Sequence, residues 1–310
     1  MAVTTSTTAI ATPRVPPVLA GAFVLVWSTG YIAGPIGVAS VAPFTVLAWR
    51  FALAALAAGA LAWWRHGLPS SWAGVGRIAV VGLMLNALQF GLMYVAFEAG
   101  LQPVLAALFH SLSPVVTVLL AGAFLGERVS RVQVVGFVVG VAGVLLVLGP
   151  DVEEAGGPLG LVLGALGALF LSLGWLGQRD LRSDLPPLWS ATVQFAVSVP
   201  PTLAVGLAFE GVWPVTDGHD ALWSLLFLAI VNSVVGLLLI QALVRRGGAG
   251  ASSSVFFLMP PVTAVMALVW FGDTLSAREL VGLVIAAVGV AVATRVRASG
   301  SEVAPRESST

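Results

Sequence analysis

Ten apolar runs, each about long enough to cross a bilayer, follow one another along this chain with little between them. Their approximate limits are 18–38, 43–64, 77–97, 101–125, 132–148, 159–177, 187–209, 222–243, 249–271 and 280–294. A helix rising 1.5 Å per residue needs about 20 residues to cover roughly 30 Å of hydrocarbon. Only helices and closed barrels satisfy their backbone polar groups in that medium. The runs therefore predict an all-α integral membrane protein with ten transmembrane helices. The connections are short, so consecutive helices are expected to be neighbours and no soluble domain fits between them. Composition agrees: 58% of the 310 residues are hydrophobic, 9% are charged, and the mean hydropathy is +1.02. A soluble domain does not sustain that balance. The absence of cysteine excludes disulfides and thiolate chemistry.

Orientation follows from the basic residues, all of them arginine. With the N-terminus in the cytoplasm, every arginine falls on that side except Arg278, outside, and Arg50, inside the second run. The Thr-rich start lacks the charged start and cleavage-like site of a signal peptide and is expected to be a retained tail. The expectation is a multi-pass protein of a bacterial cytoplasmic (inner) membrane, both termini cytoplasmic, with tails at 1–15 and 298–310.

The chain also repeats itself. A shift of 146 brings Asn86 onto Asn232, Pro114 onto Pro260, Thr117 onto Thr263, Gly136 onto Gly282 and Gly143 onto Gly289 without a gap. Earlier in each half a shift of 144 places Ser28 on Ser172, Gly30 on Gly174, Tyr31 on Trp175 and Pro43 on Pro187. Two five-helix units are expected, at 16–149 and 158–297. An odd number of crossings per unit inverts the second copy, giving inverted repeats about a pseudo-two-fold axis in the membrane plane, an arrangement common in secondary transporters.

Several segments carry a resemblance. WSTGYIAG, 27–34, is similar to an opening W-[GS]-[ST]-x-[FY] pattern, and LAWRFALAAL, 47–56, to a second-helix arginine segment. LSPVVTVLLAGAFLGERVSRVQVVGFVVGVAGVLLV, 112–147, has a proline, a Gly-Glu-Arg at the helix end and a glycine-rich fifth helix; LMPPVTAVMALVWFGDTLSARELVGLVIAAVGVAV repeats it. Together these resemble the drug/metabolite transporter superfamily, and within it the EamA-like ten-helix transporters. The chain departs from the pattern at Gly34 and Pro35, where a basic residue is frequent, and at Asp273 and Thr274, which replace Glu127 and Arg128. The resemblance implies a transporter of small organic metabolites, commonly an exporter of amino acids or related compounds, with a central cavity between the halves.

In hydrocarbon an ionisable group costs about 2.5–3.5 kcal/mol on insertion scales, so Arg50 should face the bundle interior, either satisfying freed carbonyls or meeting substrate. His110 lies near the midplane with Pro114 and Thr117 at helical spacings i, i+4 and i+7; the second copy has Phe256, Pro260 and Thr263 there. It is read as a substrate contact able to make transport pH-dependent, with a reference pKa near 6.5, or as a neutral ring bound to a freed carbonyl. Asn86, Gln89, Asn232 and Ser253 are expected polar lining, and Trp27, Tyr31, Trp175 and Phe256 aromatic lining. Thr117 completes the set of substrate contacts. Asn86 and Asn232 can equally be interhelical glue. Gly30, Pro35, Pro114, Gly174 and Pro260 are candidate hinges. Glu127 with Arg128 reads as a loop ion pair.

These observations converge on a secondary transporter, expected to export small metabolites such as amino acids by alternating access around a midplane cavity. The expected partners are a small-molecule metabolite and the lipid bilayer, with no nucleic acid, no metal and no cofactor. A membrane-embedded lipid-modifying enzyme would need convergent acids or a nucleophile-base pair, whereas His66 and His219 fall in loops on opposite sides. A passive membrane scaffold is the remaining alternative.

Overall fold

The computed structural model describes residues 16–179, 181, 184–211 and 216–299; the expected N-terminal tail and nearly all of the C-terminal one lie outside them. The described residues form ten helical spans: α1 (Pro17–Ser40), α2 (Pro43–His66), α3 (Val75–Glu98), α4 (Pro103–Leu125), α5 (Arg131–Leu148), α6 (Gly157–Arg179), α7 (Pro187–Glu210), α8 (Gly218–Leu243), α9 (Val255–Phe271) and α10 (Ala277–Thr294). All but α9 have the length and apolarity to cross a membrane alone. Outward faces carry exposed Leu56, Val138, Val265 and Val284, as lipid contact requires.

The eighth helix continues through Ser253, so residues 249–253 belong to it and not to the ninth span as the hydropathy suggested. Its Gly/Ala/Ser run contains nothing that stops a helix. The stop comes from Pro260 and Pro261, which lack N–H donors and force the preceding residues into a tighter 3-10 segment, Ser254–Leu258. Proline acts alike in α4, which is interrupted at Leu112 and restarts at Ser113 with Pro114 in its first turn. The first span is interrupted at Thr29.

The halves are interleaved about their pseudo-two-fold axis. α2 pairs with α7, α4 with α9 and α5 with α10, each helix meeting its own counterpart. By contrast α1 leaves its repeat to pack on α8 and α9, while α6 packs on α3 and α4. Small residues make the α5–α10 crossing possible: a Cβ on Gly143 would lie 2.3 Å from the Ala286 nitrogen, and one on Gly289 would lie 2.3 Å from the Gly140 nitrogen. The backbones touch there, as packing-driven association in lipid favours.

Because ten is even, α1 begins and α10 ends at one end of the bundle, the terminal end. At the far end, Glu210 closes α7 onto α2, its carboxylate accepting from the Phe44 and Thr45 nitrogens (2.7 and 2.9 Å) and from the Thr45 hydroxyl (2.9 Å). It caps a helix that has no side-chain cap of its own. Glu210→Ala is expected to lower stability by about 1–2 kcal/mol, read as an earlier thermal midpoint of the detergent-purified protein, with Glu210→Gln in between. At the terminal end Trp189 Nε1 donates to the Gly67 carbonyl (2.9 Å). Glu127 there reaches Arg179 at the end of α6 (2.6 Å) and not Arg128.

Candidate functional site

Arg50 sits seven residues into α2 from the far end, roughly 10 Å deep, and is 2% exposed. Its Nε donates to Ser233 Oγ (3.0 Å), Nη1 to the Tyr94 hydroxyl (2.8 Å) and Nη2 to Asn232 Oδ1 (2.9 Å). The guanidinium lies 4.2 Å from the centroid of the Phe90 ring, a cation–π contact that the apolar setting strengthens. Asn232 passes the connection on: its Nδ2 donates to the Val26 carbonyl (3.0 Å), beside the Thr29 interruption of α1. Asn86 and Asn232 each lie in a widened, π-helical turn, Leu83–Leu88 and Phe227–Val235. Such turns displace a side chain from the regular helical face and recur at functional positions.

Beside this cluster, His110 has both ring nitrogens engaged, Nδ1 with the Tyr31 hydroxyl (2.8 Å) and Nε2 with Gln89 Nε2 (3.1 Å). A neutral imidazole donates from one nitrogen and accepts at the other, so the ring is held from both sides. The freed-carbonyl alternative is thereby replaced by side-chain partners. Trp27, Gly30, Tyr31, Arg50, Gln89, Phe90, Tyr94, His110 and Asn232 line a common cavity of about 20 Å³. That is room for about one water molecule, too little for a metabolite. A larger hollow of about 200 Å³, lined by Thr45, Trp49, Val199 and Leu207, lies between α2 and α7 and is almost wholly apolar.

Toward the terminal end an aromatic cluster seals the bundle. Phe23 packs on Trp27 (5.2 Å between ring centroids) and on Phe256 (5.6 Å), and Trp175 meets Phe256 edge-on (6.4 Å). The repeats have thus diverged at equivalent positions: Tyr31 and His110 bound the polar cavity, whereas Trp175 and Phe256 build the apolar seal.

Of the residues singled out from sequence, Trp27, Tyr31, Gln89, His110 and Asn232 come together at the cavity. Trp175 and Phe256 lie in the seal, and Asn86 donates to the Gln194 carbonyl (3.4 Å), away from the cavity lining. Thr117 is turned aside, its hydroxyl bonded to the Ser113 carbonyl (2.7 Å) and facing the Ser172 carbonyl (3.3 Å). The interruption at Leu112 breaks the i, i+7 relation that had placed it with His110. The Ser253 side chain lies outside the described residues. Of the candidate hinges, Gly30 and Gly174 are close-packing points: an added Cβ would come 2.6 Å from Asn232 Nδ2 and 2.4 Å from Leu85 Cδ2. Pro35 lies within the second part of α1, and Pro114 and Pro260 restart their helices. Sequence reasoning left out Tyr94, Phe90 and Ser233. The signal for Ser233 was its place next to Asn232.

A family model described as "EamA-like transporter family" matches residues 17–149 and again 158–295. Among relatives, "Uncharacterized transporter YyaM" of Bacillus subtilis is 28% identical, covering 82% of this chain and 85% of its own. The "Probable amino-acid metabolite efflux pump" of Salmonella typhimurium is 24% identical over 86% of this chain and 90% of its own. The "Probable terminal-alkyne amino-acid exporter" of Streptantibioticus cattleyicolor is 29% identical over 61% and 63%. A protein of known crystal structure superposes with a TM-score of 0.65 over 92% of this chain and 98% of its own, at 22% identity, and shares the fold. With both halves matched by one family model and ten helices arranged as two inverted units of five, this multi-pass membrane protein belongs to the EamA-like transporter family.

Proposed function

We propose that the protein exports small organic metabolites of amino-acid size across a bacterial cytoplasmic membrane, with both termini cytoplasmic, by alternating access between its inverted halves. The observation that carries this reading is the small cavity between the halves, bounded by Arg50, Tyr94, His110, Gln89 and Asn232, with Phe23, Trp175 and Phe256 packed toward the terminal end and Tyr94 and Phe97 toward the far end. A site that opens to one side at a time needs closure at both ends, and inverted repeats supply two related arrangements of the same helices. The names of the Salmonella and Streptantibioticus relatives support both the substrate size and the direction.

The test is metabolite accumulation in inside-out membrane vesicles from cells with and without the protein. Export predicts that amino-acid-sized compounds gather in the protein-containing vesicles. Identical contents under every imposed ion gradient would overturn the reading.

His110→Phe removes the two ring hydrogen bonds and is expected to weaken transport several-fold. Because the neutral ring already engages both nitrogens, the loss is expected at every pH between about 5.5 and 7.5. Uptake rates measured across that range check this. A loss confined to the acidic end would restore the pH-dependent substrate contact read from sequence.

A further inference from the structure

We infer that the hollow between α2 and α7 is a lipid site, holding an acyl chain of a phospholipid whose headgroup ends in a primary ammonium, which Glu210 receives at the mouth. The inference concerns the bilayer around the protein and stands whatever the central cavity carries. It starts from the hollow itself, about 200 Å³ between Ala48, Trp49 and Ala52 of α2 and Leu203, Gly206 and Leu207 of α7. An apolar cavity of about 150 Å³ stays dry and takes up an apolar molecule. The sequence of α7 accounts for the gap. Pro200 and Pro201 lie inside the helix, and its last turn, Gly206–Glu210, is widened; both are interruptions at which helices kink. The facing residues Ala48 and Ala52 are too small to fill the space that results.

The hollow opens toward the bilayer. Trp49 is 41% exposed, Leu203 38% and Leu207 54%, and all three lie within spans, where exposed surface meets hydrocarbon. A lipid chain is the apolar molecule at hand there. Atoms lining a void lose their contacts outright, and a seated chain restores them. Trp49 immediately precedes the buried Arg50, so the chain bears on the helix that carries the internal charge.

Charge selects the headgroup. Glu210 stands at the mouth: a Cβ added to Gly206 would lie 3.4 Å from its Oε2. The half-buried carboxylate takes three hydrogen bonds from α2, all from neutral donors, and among the described residues no basic side chain pairs with it. A carboxylate offers about four acceptor positions, so room for another donor remains and its negative charge is uncompensated. The surrounding far end adds Glu98, Asp151, Asp217 and Asp220, with Arg278 its one arginine among the described residues. A headgroup of net negative charge is repelled from this surface. A primary ammonium both offsets the Glu210 charge and donates to it, whereas a quaternary ammonium has no N–H to give. Apolar hollow and acidic mouth together fit phosphatidylethanolamine better than phosphatidylcholine or phosphatidylglycerol.

The experiment uses the full chain purified in detergent, stripped of lipid and held at low salt. It is titrated with phosphatidylethanolamine, phosphatidylcholine and phosphatidylglycerol carrying identical brominated acyl chains, while tryptophan fluorescence is read. Bromine quenches a tryptophan that it touches. The expected result is a saturable quench that phosphatidylethanolamine reaches at about fivefold lower concentration than phosphatidylcholine, with phosphatidylglycerol weaker still. In Trp49→Phe that quench is expected to disappear, which locates the chain. Glu210→Gln keeps an acceptor and loses the charge, so phosphatidylethanolamine and phosphatidylcholine are expected to act at equal concentrations. Ala52→Leu, which fills the hollow and leaves the mouth intact, is expected to weaken all three lipids together. Equal action of the three lipids on the unaltered protein would overturn the inference whatever the variants do. So would an undiminished quench in Trp49→Phe, or a preserved preference in folded Glu210→Gln.

Discussion

Alanine at position 289 is expected to leave little correctly assembled protein. The single added Cβ would sit 2.3 Å from the Gly140 nitrogen, 2.7 Å from the Gly136 carbonyl oxygen and 2.7 Å from the Gly140 Cα. These are backbone atoms of α5, so no side chain can swing away to make room, and the two helices must separate along their length. In lipid nothing compensates, because association there depends on close packing itself. Overpacking of this kind costs about 3 kcal/mol, and Gly143→Ala, related to Gly289 by the repeat, should behave alike. The measurement is the fraction of protein eluting as a single species in mild detergent. Gly21→Ala is the control, since no atom lies within 4 Å of its new methyl. A Gly289→Ala protein as well behaved as that control would show that the α5–α10 crossing yields more readily than its backbone contacts allow.

The second large effect is expected at Asn232. Asn232→Ala withdraws the acceptor from Arg50 Nη2 and the donor from the Val26 carbonyl together. A buried charge loses one of its three partners, and a carbonyl beside the α1 interruption loses its amide. Losses at a buried charge run to about 3 kcal/mol, which should appear as a marked fall in thermal midpoint together with loss of vesicle transport. Asn232→Asp separates the two consequences. Its carboxylate still accepts from Arg50 and gives the guanidinium a permanent counter-charge, so the expected outcome is a folded protein that transports nothing. Transport by Asn232→Asp at the unaltered rate would mean that the charge of Arg50 is not used.

What the sequence disclosed and what it hid divide along physical lines. Hydrocarbon permits few structures, so apolar runs and inverted repeats identify ten helices and their duplication before any contact is known. The same medium makes an internal arginine conspicuous, and Arg50 stood out for its cost. Its pairing with Tyr94, Asn232 and Ser233 did not, since they lie 44, 182 and 183 residues away and no local pattern joins them. Local geometry misled wherever a helix was interrupted. Thr117 was placed with His110 on the assumption of an unbroken helix, and the interruption at Leu112 removed that assumption. The ninth span was begun early because hydropathy does not register where a helix turns, only that its residues are apolar.

The interleaving of α1 and α6 bears on how such a chain comes into being. α1 leaves the ribosome well before α8 and α9, the helices on which it packs. At 5–20 residues per second, about 200 residues of synthesis separate Ser40 from Leu243, roughly 10–40 s. Throughout that interval α1 stands in the bilayer without α8 and α9, and the carbonyl of Val26 has the Thr29 hydroxyl (2.7 Å) but not yet the Asn232 amide. The N-terminal repeat is therefore not a finished module that a second copy joins. Assembly closes only when the late helices arrive, and the same event that docks α1 completes the partners of Arg50.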